Sequence, residues 1–440
     1  MRRLVHVSLV CCFIIMVVLV SGVWAAQPIP GEFSQNINWK QFSGQTIDVL
    51  FSIHPWQEAI EPLIPQFEKL TGIEVRVTKL PEQEFLTKVP ADMTAGIFGF
   101  DVFMSQYYDA PKYTLEKWTE PLDDYLTNPA LTDAKWYDWQ DFFPGARAVA
   151  TVGASYKDRI PITAEAQVLV YRKDIFDQLG LNVPDTFDEL LDAAKTIQQK
   201  TKLYGITIRG GQDLWWPMYG VVRSYGGDYM TIKDFKSHIN SPGSKAGVEM
   251  YLKLLQYTPP GVTSFGWDEI NTAMITGRAA MVLDSSVIYS RLEDPKRSTV
   301  AGKIGIAPFP KGPVGRIAHS HYWSISLNPK SKKKAAGWLF IEWATSKQIQ
   351  LQLALKGVLA PRSSVWGDPG FAKTFPKDFV DSVATTLKTA VISPANMRFF
   401  EMMDVVRAEV QEAFSTKKAP DLASVDKAWQ KMLAEIKASK

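Results

Sequence analysis

The alternation of apolar and polar residues along the chain predicts a regular succession of strands and helices. Residues 45–51 alternate and then become apolar, which is typical of a strand that enters a hydrophobic core. Apolar residues at helical spacing follow, up to a Thr-Gly pair at residues 71–72, and residues 73–77 alternate again. A strand, a helix and a strand in this order form a β-α-β unit, so the pattern predicts a mainly parallel sheet that is covered by helices.

The same patterns extend over the rest of the chain. They predict strands at residues 101–104, 203–208, 280–283 and 317–327, and helices at residues 245–255, 269–276, 335–356, 399–414 and 425–436. Trp338, Trp343 and Trp429 fall on apolar helix faces, so we expect them in hydrophobic cores. By contrast, residues 27–41 are polar, contain proline and lack periodicity, which predicts a flexible N-terminal arm over residues 26–44.

One segment combines polar side chains with a buried strand. Glu165 and Gln167 lead directly into the apolar residues 168–171, and a short helix follows. Thr186 and Glu189 then have the spacing of a capping box, which predicts the start of a second helix. The segment is therefore a strand–helix–helix unit with a carboxylate and an amide at the mouth of its strand.

This segment resembles the crossover region of the extracellular solute-binding proteins of ABC importers, in their carbohydrate-binding, maltose-binding-protein-like branch. Three further stretches are similar to the first helix and turn of that family, to its Gly-x-Ala-Ala-Met strand and to a late turn: residues 67–73, 274–281 and 357–362. The order and spacing of the matches extend the resemblance over residues 45–440. The chain departs from the family pattern at residues 319–323, His-Ser-His-Tyr-Trp, where many relatives carry small residues before the Trp.

The resemblance implies a fold, a function and a division of the chain. The fold is the α/β periplasmic-binding-protein type II fold, in which two α/β lobes are joined by a hinge and enclose a ligand cleft. Lobe 1 would comprise residues 45–160 plus 318–365, and lobe 2 residues 161–317 plus 366–440. The implied function is that of the periplasmic substrate-binding component of an ABC importer. Such a protein captures a sugar, oligosaccharide or sugar alcohol by hinge closure and delivers it to the permease transmembrane subunits; we expect a monomer.

The N-terminus has the pattern of a secretory signal peptide. Arg2 and Arg3 precede an apolar run at residues 4–20, and small residues surround Ala25. We therefore expect residues 1–25 to be a signal peptide that is cleaved near Ala25, and the mature protein to be periplasmic. The alternative is an uncleaved anchor, which would make the protein a membrane-tethered interaction module.

Composition excludes several classes of site. Cys11 and Cys12 are the only cysteines and lie in the apolar run, so the mature chain has neither disulfides nor cysteine sites. The chain has 49 Lys and Arg against 46 Asp and Glu, a balance that gives no indication of nucleic-acid binding. It has no nucleotide-binding, Gly-x-Ser-x-Gly or His-Glu-x-x-His motif. We therefore expect that the protein is not an enzyme and has neither catalytic residues nor a cofactor. His319 and His321 share a strand face, but without a third nearby ligand they do not predict a metal site; whether they contact a ligand or a metal stays open.

Aromatic and hydrogen-bonding residues follow several predicted strands. In open α/β sheets ligands bind beyond the carboxyl ends of strands, and carbohydrates need flat aromatic faces beside hydroxyl-binding groups. The candidate ligand-binding residues are His54, Trp56, Gln106, Tyr107, Glu165, Gln167, Gln212, Asp213, Trp215, Trp267, Asp284, Trp323 and Arg362. Glu165 and Trp56 are expected on opposite walls of the cleft, and Arg362 has two candidate partners, a ligand and a hinge carboxylate. A secreted carbohydrate-active enzyme and a binding protein for a non-sugar solute are the alternative functions.

Overall fold

A computed structural model describes Ile29 and residues 31–439 of the protein. The predicted signal peptide, with its cleavage site and both cysteines, lies outside the described residues. The strands are β1 (Thr46–Ser52), β2 (Glu74–Leu80), β3 (Val102–Gln106), β4 (Ile160–Pro161), β5 (Glu165–Arg172), β6 (Met230–Thr231), β7 (Lys236–Ser237), β8 (Met281–Ser285), β9 (Ile304–Pro308), β10 (Ser320–His321) and β11 (Trp323–Leu327).

Helices surround these strands in both halves of the molecule. They are α1 (Pro55–Ile60), α2 (Ile64–Thr71), α3 (Glu82–Thr94), α4 (Ala110–Leu115), α5 (Asp123–Thr127), α6 (Ala134–Tyr137), α7 (Pro144–Val149), α8 (Lys173–Leu179), α9 (Phe187–Lys200), α10 (Trp215–Ser224), α11 (Pro242–Leu255), α12 (Trp267–Ile275), α13 (Ile288–Leu292), α14 (Lys334–Ala344), α15 (Lys347–Ala354), α16 (Ser363–Trp366), α17 (Pro369–Thr374), α18 (Lys377–Leu387), α19 (Phe399–Thr416) and α20 (Leu422–Ala438). In the part of the chain that the structure covers, every helix is too short or too polar to span a bilayer.

The first sheet has the strand order β2-β1-β3-β11-β4. Strand β1 pairs in parallel with β2 and β3, whereas β11 runs antiparallel to β3 and β4. The predicted β-α-β unit is confirmed, and helix α2 ends where Gly72 adopts a φ of 73°, a left-handed conformation that favours glycine.

The second sheet is built around β5, which pairs antiparallel with β8, β9 and β10. The prediction of a mainly parallel sheet is therefore wrong for this lobe, because the alternation of apolar residues does not encode strand direction. The strand predicted at residues 203–208 is also wrong. This segment contributes only isolated bridges at Tyr204 and Thr207, and at Gly205 it lies so close to α9 that a Cβ would be 2.1 Å from the Ala194 carbonyl oxygen.

The chain crosses between the two sheets at neighbouring points. Strand β4 belongs to the first sheet and β5, which only three residues separate from it, to the second. The single strand predicted at residues 317–327 is in fact divided at Tyr322, because β10 pairs with β5 while β11 pairs with β3 and β4. Ser320 and His321 thus join the second sheet although they fall in the range predicted for lobe 1. The exact lobe ranges stay a prediction.

Large aromatic residues fill the cores. Trp338, Trp343 and Trp429 are fully buried, which confirms their predicted core positions. Part of the arm predicted to be flexible also joins the core of the first lobe, since Ile37 and Trp39 are buried and Trp39 packs edge-on against Trp136. The long helix predicted at residues 335–356 is divided into α14 and α15 at Ser346, whose hydroxyl caps α15.

Candidate functional site

A small cavity lies between the two sheets, beside the crossing points. We refer to it as the interlobe cavity. Its wall consists of His54, Glu82, Leu86, Gln106, Glu165, Arg209, Asp213, Trp215, Trp216, Trp267, His321 and Trp323. Both lobes contribute to it, because His54 and Gln106 follow or end strands of the first sheet whereas Asp213 and Trp267 belong to the second lobe.

His54 connects the two lobes through its imidazole ring. It caps helix α1, since its Nδ1 atom accepts a hydrogen bond from the Trp56 backbone N–H at 3.1 Å. In the neutral ring the proton therefore lies on Nε2. This atom is 3.2 Å from Oε1 of Glu165, at the start of β5. A short helix cap thus orients a side chain that reaches across the cavity.

Glu165 is held by three side chains. Besides His54, the Thr163 hydroxyl donates to Oε1 at 2.9 Å and the Ser285 hydroxyl donates to Oε2 at 2.6 Å. Burial raises the pKa of Glu165, but the interactions with His54, His321 and Ser285 together outweigh it and lower this pKa to about 2. The carboxylate is therefore ionised at neutral pH. Because a carboxylate has about four acceptor positions, it has one left for a ligand hydroxyl.

Arg209 forms the centre of the opposite wall. Its guanidinium donates to both carboxylate oxygens of Asp284, at 2.8 and 2.7 Å, and to Asp213. The same group stacks between two indole rings, 5.1 Å from the ring centroid of Trp216 and 5.3 Å from that of Trp267. Ion pairs and cation–π contacts together fix the positions of both tryptophans.

Four residues of the wall carry a buried polar atom without a hydrogen-bond partner among the described residues. These atoms are Gln106 Nε2, Asp213 Oδ1, Trp267 Nε1 and His321 Nδ1. Burial lowers the pKa of His321 to about 4, so its ring is neutral at pH 7. The wall thus offers two donors, one acceptor and an imidazole nitrogen beside the faces of tryptophans. A hydroxyl group can both donate and accept, so a polyhydroxylated ligand would satisfy all of them.

Seven of the predicted ligand-binding residues line the interlobe cavity, whereas six do not. The seven are His54, Gln106, Glu165, Asp213, Trp215, Trp267 and Trp323. Trp56 is instead fully buried in the first core, edge-on against Phe51 at 5.3 Å between ring centroids, so its expected place in a cleft wall is corrected. The reason is that helix α1 starts at Pro55 and turns the next side chain towards the sheet.

The other five lie elsewhere. Asp284 pairs with Arg209, and Gln167 donates to the Pro217 carbonyl oxygen at 3.0 Å. Gln212 lines a neighbouring groove that Trp215 shares. Arg362 is fully buried in the first lobe, 3.3 Å from Asp141. The carboxylate that pairs with Arg362 is therefore that of Asp141, a residue of the first lobe itself.

Tyr107 belongs to a buried network behind the cavity. Its hydroxyl and that of Tyr108 lie 3.2 and 3.1 Å from Nε2 of His319, whose Nδ1 is 2.9 Å from the Trp216 carbonyl oxygen. Burial lowers the pKa of His319 to about 3, so the ring is neutral, with Nδ1 as the donor and Nε2 as the acceptor. His319 thus connects the end of β3 in the first lobe with helix α10 in the second. Across the described residues no cluster of three or more His, Cys, Asp or Glu side chains has metal-binding geometry.

Sequence reasoning missed several residues of the wall: Glu82, Leu86, Arg209, Trp216 and His321, the last of which was left open. Glu82 follows β2, so the rule of polar residues after strands would have found it. Leu86, on helix α3, carries no comparable sequence signal.

Comparisons with known proteins point to one family. The sequence profile of the family described as bacterial extracellular solute-binding protein matches residues 53–351. The erythritol/L-threitol-binding protein of Mycolicibacterium smegmatis is 30% identical over 350 residues, which make up 75% of this chain and 72% of that protein.

Solved structures with the same fold also contain small polyols. A solute-binding protein from Agrobacterium radiobacter in complex with ribitol superposes with a TM-score of 0.79 and 27% identity, over 89% of this chain and 99% of that one. A solute-binding protein from Agrobacterium vitis with bound D-mannitol gives a TM-score of 0.76 and 25% identity, over 90% of this chain and 99% of that one.

Proposed function

The chain belongs to the family of bacterial extracellular solute-binding proteins, and we propose that it captures a sugar or sugar alcohol for an ABC importer. Ligand binding closes the two lobes over the interlobe cavity. The closed protein then delivers its ligand to the permease transmembrane subunits.

The observation that carries this proposal is the combination of partnerless polar atoms with tryptophan faces in one cavity. Gln106 Nε2 and Trp267 Nε1 would donate to ligand oxygens, and Asp213 Oδ1 would accept from a ligand hydroxyl. Trp215 and Trp323 supply apolar faces for the C–H bonds of the carbon chain. A ligand with alternating hydroxyl and C–H groups matches this wall.

The relatives favour a small ligand. Relatives are named for erythritol and L-threitol, or hold ribitol or D-mannitol. An acyclic sugar alcohol or a single sugar therefore fits better than an oligosaccharide.

The proposal includes export, cleavage near Ala25, a periplasmic location and a monomeric state. It also includes the absence of catalysis, so that the protein returns its ligand unchanged. N-terminal sequencing of the exported protein tests the cleavage site, and chromatography of the ligand after long incubation tests for turnover. Recovery of the intact Met1 terminus, or of ligand breakdown products, would contradict these parts of the proposal.

A thermal-shift panel followed by calorimetry tests the ligand class. The panel contains erythritol, ribitol, D-mannitol, glucose, maltose and, as a non-sugar solute, an amino acid. A ligand that binds only the folded protein raises its melting temperature with concentration. We expect at least one sugar alcohol or sugar to give a saturable rise and a stoichiometry of one. A response to the amino acid alone would instead support the non-sugar alternative.

A further inference from the structure

Glu82 of the first lobe faces charged residues of the second lobe across the cavity. It is the first residue of helix α3 in the first lobe and is buried. Its Oε1 atom lies 3.8 Å from Nη1 of Arg209 in the second lobe. Besides burial, the pKa of Glu82 is raised by three negative charges, those of Asp213 and Asp268 in the second lobe and of Glu165 in the crossover strand. A separation of the lobes would therefore remove Arg209, Asp213 and Asp268 from the surroundings of Glu82.

The positive charge near Glu82 is already neutralised by other groups. Arg209 binds Asp284 through two hydrogen bonds and Asp213 through a third. Glu82 lies beyond hydrogen-bonding distance of this guanidinium. The two histidines of the wall, His54 and His321, line the same cavity, and the His321 ring is neutral because burial lowers its pKa. An ionised Glu82 would thus be a buried charge without a dedicated counter-ion.

Burial and the surrounding carboxylates act in the same direction. Burial is the largest cause, and together with Asp213, Asp268 and Glu165 it raises the pKa of Glu82 from its ordinary value of 4.5 to about 8, against the opposing charge of Arg209. A Glu82 side chain exposed to water would have the ordinary pKa of 4.5.

We propose that Glu82 enters the closed site as a neutral acid, so that the capture of each ligand molecule brings one proton into the protein. The inference rests on the proposed function, because it takes lobe closure to be the consequence of ligand binding. The protonated carboxyl group donates a hydrogen bond, which an ionised carboxylate cannot do. Glu82 is then a further donor to the ligand in the interlobe cavity.

The proton uptake has a defined pH dependence. With a pKa of 4.5 in the open protein and about 8 in the closed protein, closure at pH 7 takes up about 0.9 proton. Because the closed state holds more protons, the association constant falls as the pH rises. Between pH 6 and pH 8 the same two values predict that binding weakens about fiftyfold.

Isothermal titration calorimetry tests the proposal with ribitol as the probe and with erythritol and D-mannitol as further probes. Titrations at pH 7 in phosphate, HEPES and Tris give the number of protons from the slope of the binding heat against the ionisation enthalpy of the buffer. We expect a slope close to one proton for the wild type and close to zero for Glu82→Gln, which keeps a hydrogen-bond donor. Glu84→Gln is the matched control, because Glu84 lies in the same helix but is exposed, and we expect it to retain the wild-type slope.

The outcomes separate this proposal from the proposed function. Saturable binding to the wild type without proton uptake, or uptake that persists in Glu82→Gln, would overturn the role of Glu82 and leave the function intact. If every sugar and polyol in the panel fails to bind, the proposed function itself fails. If Glu82→Gln does not fold, the wild-type affinity at pH 6 and pH 8 decides the question, since equal affinities would overturn the proposal.

Discussion

Arg291 of the second lobe lies 3.3 Å from Glu58 of the first lobe, Nη2 to Oε1, at the edge of the interlobe cavity. Arg297 reaches the same carboxylate at 3.1 Å, and Arg291 also stacks over Trp267 at 5.7 Å from its ring centroid. These ion pairs join the lobes outside the ligand site. Glu58, Arg291 and Arg297 are not part of the cavity wall.

The first prediction concerns this pair of ion pairs. Glu58→Gln should weaken ligand binding about three- to tenfold at low ionic strength, because it removes charge pairing that only the closed state has. The difference should shrink as salt is added, since part of the cluster is exposed to screening. Calorimetry at two salt concentrations measures it. Glu61→Gln is the control, because Glu61 pairs with Lys79 within the first lobe; an identical loss in both variants would contradict a role in closure.

The second prediction concerns the partnerless Nε1 atom of Trp267. Trp267→Phe keeps an aromatic face but removes this donor, and we expect binding of a sugar alcohol to weaken about three- to tenfold, the value of one hydrogen bond. Trp429→Phe is a matched control, since Trp429 Nε1 donates to the Met402 carbonyl oxygen at 2.8 Å in the core. The control should lower the free energy of unfolding and leave affinity unchanged. Unaltered affinity in Trp267→Phe would mean that this N–H does not contact the ligand.

The third prediction concerns Glu342, a fully buried residue of α14 whose carboxyl oxygens both lack a hydrogen-bond partner in the described part of the chain. Burial, with a contribution from Asp133, raises the pKa of Glu342 from 4.5 to about 9. The unfolded chain therefore releases a proton that the folded protein retains, and stability falls as the pH rises from 4.5 to about 9.

Glu342→Gln removes this penalty. We expect it to raise the free energy of unfolding at pH 7 by up to about 3 kcal/mol, with a larger gain at pH 9 and none at pH 4. Urea denaturation at the three pH values measures the gain. The exposed Glu412→Gln controls for the loss of one surface carboxylate. A gain that does not vary with pH would show that Glu342 does not titrate as described.

The fourth prediction concerns Trp56. Because its ring is fully buried against Phe51, Trp56→Ala should lower the free energy of unfolding by about 3–5 kcal/mol. Denaturant unfolding without ligand measures this loss. Any loss of affinity should follow the loss of folded protein. If the variant instead has wild-type stability but binds weakly, Trp56 contacts the ligand after all.

Local sequence signals predicted local structure well. The strand β5, the left-handed Gly180 that ends α8, and the reciprocal capping of α9 by Thr186 and Glu189 are all present as expected. These features depend on neighbouring residues alone. Strand direction in the second sheet and the division of the strand at Tyr322 depend on distant partners, which periodicity does not encode.

The candidate site could be predicted only in part. The rule that ligands lie beyond strand ends gives a place in the fold but not the direction of each side chain. His54 and Trp56 both follow β1, yet one contacts Glu165 across the cavity and the other packs into the core. Arg209 was missed because its role depends on Asp284 and Trp216, whose proximity is created by the tertiary fold.

Because the strand is divided at Tyr322, the site lies where the two lobes join. His321 and Trp323 belong to different sheets, yet both line the cavity, with ring centroids 5.5 Å apart. A ligand beside them would lie close to the segments that cross between the lobes, where a rotation of one lobe against the other produces the smallest displacement. The same rotation displaces residues at the far ends of the lobes by a larger distance. A few hydroxyl groups of a ligand near these crossing segments can therefore control the distance between surfaces at the far ends of the lobes.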